Sequence, residues 1–210
     1  MKESKQASKK VLKKVLLHSC CAICSGYPIE HLKELGYQAT VYFFNPNIFP
    51  ETEYSKRLDA QKTLCEKLDC ELIVEEYAPI EFENICQNLE PSIRLAPEKG
   101  ERCNSCFELR LLKTAQKAKE LGIGAFATSI TISPHKNFQL ISKIGKTISQ
   151  KYDINYLDID FKKKDGFLKS NNIAKSFELY RQNYCGCEYS VRRTEEQKLG
   201  SLEVKQQQSF

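Results

Sequence analysis

Nowhere does this 210-residue chain hold an apolar run of the ~20 residues that a bilayer-spanning helix needs. A membrane partner is therefore not expected. No secretory leader is legible either, because the opening MKESKQASKKVLKKVLLHSCC is basic but its apolar stretch is short and broken. Without an export signal the expected location is the cytoplasm, where grouped cysteines favour metal binding or catalysis over structural disulfides. No internal repeat or low-complexity block precedes the final QQQSF, so a repeat architecture is not expected. Beyond Lys14 there is also no excess of charge: residues 1–14 hold six Lys and one Glu, which is already the whole net charge of +5. That balance does not by itself argue for nucleic-acid binding. A basic tail is ordinary at a terminus, with a role in holding RNA phosphates as the alternative.

What the chain does have is cysteine. Seven of its ten cysteines stand in three tight groups: Cys20, Cys21 and Cys24; Cys103 and Cys106; Cys185 and Cys187. The hydrophobic share of 41% and charged share of 28% are those of a globular protein large enough for one substantial core. The expected organisation is a basic tail over 1–14, one catalytic α/β domain over 15–190 and a C-terminal tail over 191–210.

Short β-rich runs alternate with helical periods. Strands are expected over 15–18, 40–44, 70–74, 125–132 and 157–161, and the alternation in the last puts Asp158 and Asp160 on the face opposite Leu157, Ile159 and Phe161. Helices are expected over 27–35 and 104–121 and wherever apolar residues fall at helical spacing, as with Tyr54, Leu58, Cys65 and Leu68, with Phe82, Ile85, Cys86 and Leu89, with Phe138, Ile141 and Ile148, and with Ile173, Phe177 and Tyr180. Cys65, Cys70 and Cys86 lie on such apolar stripes and read as core residues. Five strands with interleaved helices imply a parallel, doubly wound sheet, whose ligands gather at the carboxyl ends of the strands.

The first cysteine group follows a strand and precedes a helix, and the second opens a helix. A helix N-terminus carries free N–H groups and partial positive charge, both of which favour thiolate. Two such places brought together would supply four thiolates. Zinc is one candidate occupant, although its usual sites close over short loops. An iron–sulfur cluster is larger and draws soft thiolates from scattered segments. Cys185-Gly186-Cys187 is a different device: glycine permits the backbone distortion of a very small disulfide ring, and a strained disulfide is readily reduced. Two further metal ligands is the other reading of that pair.

The strings LLHSCCAICS, YFFNPNIFPETEYSKR, GERCNSCFELRL, ISPHKN and LYRQNYCGCE, in that order, closely resemble the cobalamin-independent epoxyqueuosine reductases over residues 16–189. The resemblance implies an enzyme that completes queuosine synthesis by reducing the epoxide of epoxyqueuosine, at the wobble position of a tRNA anticodon, to an alkene. It implies a sheet akin to the adenine-nucleotide α-hydrolase folds (the HUP or PP-loop type) and an electron donor that the sequence does not identify. Cys20, Cys21, Cys103 and Cys106 match the ligands of a 4Fe–4S cluster, and Cys185 and Cys187 match a redox-active pair. Cys24, with Asp160, is a candidate for a second, mononuclear iron. Three departures stand out: Phe49 replaces a common His, Asn137 a usual Asp and Ile23 a common Pro.

His18, His135 and Tyr184 are the candidate proton donors for the breaking C–O bond. Arg102, Arg110, Lys162, Lys163, Arg181 and Arg192 flank the motifs and are candidate phosphate contacts, with Phe161, Phe167 and Tyr184 as candidate stacking rings. Two other functions compete. A tRNA-thiolating ATP pyrophosphatase carries an SGGxDS loop after the first strand, and HSCCAICS stands in that place here. A zinc-stabilised RNA-binding module would account for the thiols but gives Cys185-Gly186-Cys187 no purpose.

Overall fold

The structure, a computed structural model, describes residues 12–96 and 98–191. Arg192 and most of both expected tails lie outside the described residues. Among those described, no helix is long and apolar enough to cross a membrane.

The chain alternates strand and helix. Strand β1 (Lys13–His18) is followed by α1 (Ala22–Glu34), β2 (Tyr37–Phe43), α2 (Glu51–Lys67) and β3 (Glu71–Val74). Helices α3 (Ile80–Gln87), α4 (Pro91–Arg94) and α5 (Glu101–Glu120) lead to β4 (Ala125–Thr128), and α6 (Phe138–Tyr152), β5 (Asn155–Tyr156) and α7 (Gly166–Ser176) complete the described fold. The five strands are all parallel, in the order β3-β2-β1-β4-β5. This is the expected doubly wound α/β sheet.

The innermost strands are buried on both faces, as a parallel sheet between two helical layers requires. Val15, Leu16, Leu17 and His18 are fully buried, and so is all of β4. One core, around Val15, Leu17 and Val41, packs α1, α2 and α7 on one face. The other, around Leu16 and Phe126, packs α5 and α6 on the opposite face.

Among the departures from the expected spans, three stand out. Helix α1 starts at Ala22 rather than Tyr27, with Cys21 as its N-cap, so Cys24 lies in its first turn. The strand expected over 125–132 ends at Thr128, whose hydroxyl accepts from the Ile130 N–H and turns 129–132 into a 3₁₀ helix. The strand expected over 157–161 is only Asn155–Tyr156: after Leu157 N bonds Phe126 O, Ile159 N turns back onto Leu157 O at 2.9 Å and leaves the ladder. Asp158 is then occupied by Ser142 Oγ and Lys146 Nζ on α6.

The chain leaves β1 in one direction across the sheet and returns to β4 on the other side, so the topological switch lies between β1 and β4. The first cysteine group follows β1, and the Ser133–Lys136 loop follows the 3₁₀ turn after β4. Both border the crevice that such a switch opens at the carboxyl edge.

Candidate metal and redox centre

The turn after β1 is held from both flanks. Asn45 Nδ2 donates to Ser19 O at 2.8 Å, and Ser19 Oγ donates to Gln61 Oε1 at 2.6 Å. That turn gathers Cys20, Cys21 and Cys24 so that their sulfurs all lie within 4.8 Å of one another, with 3.9 Å between Cys20 and Cys21. The side chains of Cys21 and Cys24, with the charge of Arg110, pull Cys20 well below the usual thiol range. The same sharing pushes Cys21 up to about 12 and Cys24 upward. Gln182 Nε2 donates to Cys21 Sγ at 2.7 Å, while its Oε1 is buried without a partner.

Cys103 and Cys106 occupy the first two turns of α5, and Cys103 Sγ accepts from Lys99 N at 3.4 Å. Burial pushes the Cys106 thiol up to about 12. One turn further along α5, Arg110 is only 4% exposed and spends Nε on Cys106 O. Among the described residues no carboxylate pairs with it. Burial opposes its charge, and the nearby sulfurs of Cys106, Cys20, Cys185 and Cys103 favour it. Cys20, Cys24 and Cys185 line the same cavity as this buried cation, so sulfurs from distant segments face it.

Cys185 and Cys187 face different surroundings. Cys185 Sγ accepts from Lys136 Nζ at 3.0 Å, whereas Cys187 Sγ lies 3.5 Å from Ser190 Oγ beside Phe82, Cys86 and Cys106. Both are free thiols, as are all ten cysteines. Gly186 between them has φ +128°, and a Cβ there would meet Arg57 Nη1 at 3.0 Å. Arg57 is the clamp of this segment: Nη1 and Nη2 donate to Cys185 O and Tyr184 O, and Nε donates to Glu53 Oε1 at 2.8 Å.

A cavity of about 710 Å³ opens over the centre, lined among others by Cys20, Cys24, Arg57, Lys136, Tyr184 and Cys185. The candidate proton donors fare differently around it. His18 is wholly buried, with Nδ1 on Thr128 Oγ1 and Nε2 on Phe44 O, and burial lowers its pKa to about 3. A neutral, fully engaged imidazole inside the sheet is no proton donor at neutral pH. Tyr184 donates its hydroxyl to Phe49 O at 2.6 Å, and burial pushes it up to about 12. Exposed His135 lines the cavity.

Asp160 is not part of the close thiol group, and its Oδ1 accepts from Lys162 N at 3.2 Å. Among the candidate phosphate contacts, Arg102 is 2% exposed and bonds the carbonyls of Arg94 and Ala96. Like Arg110, it is enclosed by the fold and does not offer an outer-surface contact. Lys162 Nζ is tied to Lys136 O, while Lys163 and Arg181 are exposed. Of the rings, Phe161 is buried in the core, Phe167 is exposed at the cavity and Tyr184 lies in its wall.

Arg57, Glu98, Lys136 and Gln182 were not singled out from sequence. Arg57 and Lys136 lie inside conspicuous strings, but a charged residue in a polar run carries no local sign that its partner is a sulfur or carbonyl far along the chain.

The donor set fits an iron–sulfur cluster better than a lone cation. Soft sulfurs drawn from separate segments are what such a cluster accepts, whereas protein zinc sites usually close over short loops. The triad alone would admit a single ion, since tetrahedral zinc sets its sulfurs about 3.8 Å apart.

A family model described as "Epoxyqueuosine reductase QueH" matches residues 15–193. Curated proteins named epoxyqueuosine reductase QueH are similar over most of the chain. The one from Streptococcus pyogenes serotype M1 is 40% identical, covering 85% of this chain and 70% of its own length. That from Staphylococcus aureus is 39% identical, with 85% and 75% covered. Among solved structures, the U34-tRNA thiolase NcsA from Methanococcus maripaludis, described with its [4Fe-4S] cluster, aligns with TM-score 0.50 at 15% identity, over 87% of this chain and 63% of that one. That likeness concerns the fold alone. The match over nearly all the described residues shows that the chain belongs to the QueH family of epoxyqueuosine reductases.

Proposed function

We propose that this oxidoreductase reduces the epoxide of epoxyqueuosine in tRNA to the alkene of queuosine, using an iron–sulfur cluster and the Cys185/Cys187 pair. The observation that carries the reading is the close group of Cys20, Cys21 and Cys24, two of which line one cavity with Arg110 and Cys185.

Cys20, Cys21, Cys103 and Cys106 would hold the cluster, which supplies one-electron transfer when bound. A second, mononuclear iron would sit at Cys24, with Asp160 as its candidate carboxylate. The dithiol balances the net reaction: epoxide plus two thiols gives alkene, water and one disulfide, with both electrons and both protons leaving the sulfurs. A donor outside the chain then returns the disulfide to two thiols. Gly186 supports the required turn, because Cys185 and Cys187 now face different neighbours and must rotate toward one another to bond.

The cavity is within the ~300–1,000 Å³ range of small-ligand sites and suits one splayed nucleotide. Taking that nucleotide from a single-stranded loop costs less than opening a duplex. Phe167 offers a ring at the mouth, and exposed Lys163 and Arg181 offer charge to flanking phosphates. His135 and Tyr184 both line the cavity, and Tyr184 spends its hydroxyl on Phe49 O, which leaves His135 as the proposed proton donor.

The test is incubation of anaerobically purified protein and reductant with epoxyqueuosine-containing tRNA, followed by nucleoside mass analysis. The expected product has lost one oxygen. The Cys185→Ser variant should give none while retaining the visible absorption of its cluster. Unchanged nucleoside with the iron-loaded wild type would contradict the activity, and turnover by the variant would contradict the dithiol role.

A further inference from the structure

Lys136 follows His135 in the loop after β4, and its side chain is 11% exposed. Its Nζ lies 3.0 Å from Cys185 Sγ and 2.5 Å from Glu98 Oε1. Lys162 Nζ donates to Lys136 O at 3.1 Å, and the Phe107 ring lies 5.8 Å from the Lys136 ammonium. The ammonium is thus lodged at the cavity wall with one carboxylate and one sulfur.

An ammonium has three donors and no acceptor, so the sulfur must accept in this contact. A thiolate accepts such a bond far more strongly than a thiol, which makes the contact a device for holding sulfur in its anionic form. Glu98 works against that. Its carboxylate draws on the same ammonium, and its own charge opposes a second anion nearby. We infer that Lys136 and Glu98 form an antagonistic pair that sets the reactivity of Cys185: Lys136 promotes the thiolate and Glu98 restrains it. Lys136 is thereby a positioning residue that acts through Cys185.

The charged and titratable groups around Cys185 are Lys136 and Glu98, Cys187 two residues away, and Arg110 and Cys106 on α5. Burial pushes the Cys185 thiol up, with Lys136 pulling against it and Glu98 adding to it. Burial likewise opposes the Lys136 charge, and Cys185 and Glu98 together restore it. Arg110 has several sulfurs near it, whereas Lys136 bonds only the one among the described residues. That exclusivity makes the Lys136–Glu98 pair the local control. It would keep Cys185 from reacting indiscriminately in the open cavity and leave it ready to ionise once a substrate displaces Glu98 from the ammonium.

The inference rests on the proposed function only in taking Cys185 as a reacting thiol. Its test is the rate at which iodoacetamide alkylates Cys185 at neutral pH in anaerobically purified, cluster-containing protein, followed by mass spectrometry of the peptide that carries it. Lys136→Met should slow labelling about tenfold, which corresponds to roughly one pKa unit for the thiol. Glu98→Gln should accelerate it by several-fold, and Lys136→Arg should restore a rate near the wild type. A merely structural role for Lys136 would not give opposite signs for the two partners or rescue by arginine. Rates that stay flat in Glu98→Gln, or that move the same way in both variants, would overturn the inference. That failure would leave intact a demonstrated loss of oxygen from tRNA. Turnover by Cys185→Ser would instead refute the dithiol role and leave the labelling result standing.

Discussion

Arg57 donates to a carboxylate one helical turn before it and to two carbonyls on a segment far along the chain. Its side chain is 1% exposed and that of Glu53 8%. Glu53 in turn accepts from Tyr180 Oη at 2.7 Å, so one ion pair fastens α2 to both sides of the cavity-lining strap. Arg57→Met would leave Glu53 buried and unpaired, which costs about 3–5 kcal/mol. A denaturant-unfolding midpoint well below that of the wild type is the expected result. Arg57→Lys should recover little, because a single ammonium cannot serve a carboxylate and two carbonyls in the fork geometry of a guanidinium. In the sequence this residue stands among Lys56, Asp59 and Lys62 and looks like part of a solvated helix face. The same holds for Lys136 and Glu98. The cysteines were legible because grouped thiols are uncommon, but the cations that serve them are common residue types in ordinary settings.

At the scale of elements, α6 shows what periodicity discloses. Phe138, Ile141 and Ile148 fall at helical spacing, and Ile141 and Ile148 are buried against β4 and β5. Gly145, on the same face, is where the helix meets the Tyr156 ring, and a Cβ there would run into that ring. Gly145→Val should destabilise the fold by about 1–3 kcal/mol through overpacking. Thermal unfolding would show a lower midpoint, with iron and sulfide content unchanged because the cysteines lie at the sheet's carboxyl edge. Element boundaries were less legible where polar side chains set them. Thr128 ends β4 by capping the 3₁₀ turn, and the bend after Leu157 removes the expected last strand from the ladder. Neither event alters the alternation of apolar residues, so hydrophobic pattern alone runs both strands too far. The early start of α1 had the same origin: Ala22, Ile23, Ser25 and Gly26 are small or apolar and buried, which gives no amphipathic stripe to read.

For the whole molecule, strand order decides where chemistry can occur. With β1 and β4 adjacent at the topological switch, the turn after β1, the start of α5 and the loop after the 3₁₀ turn all meet the carboxyl edge. Alternating elements made the sheet legible in advance, and the five ordered motifs made the family legible. That sulfurs from distant segments would face one buried arginine was not, because convergence depends on how helices on opposite faces bring their N-termini together. A four-thiolate zinc site would complement the same cation, so the composition of the occupant is what separates a cluster from zinc. Iron and acid-labile sulfide, measured per chain in protein purified without oxygen, therefore test the central claim most directly. A 4Fe–4S cluster at this centre predicts about four of each, with both lost in Cys103→Ser, whereas stoichiometric zinc without sulfide would contradict it.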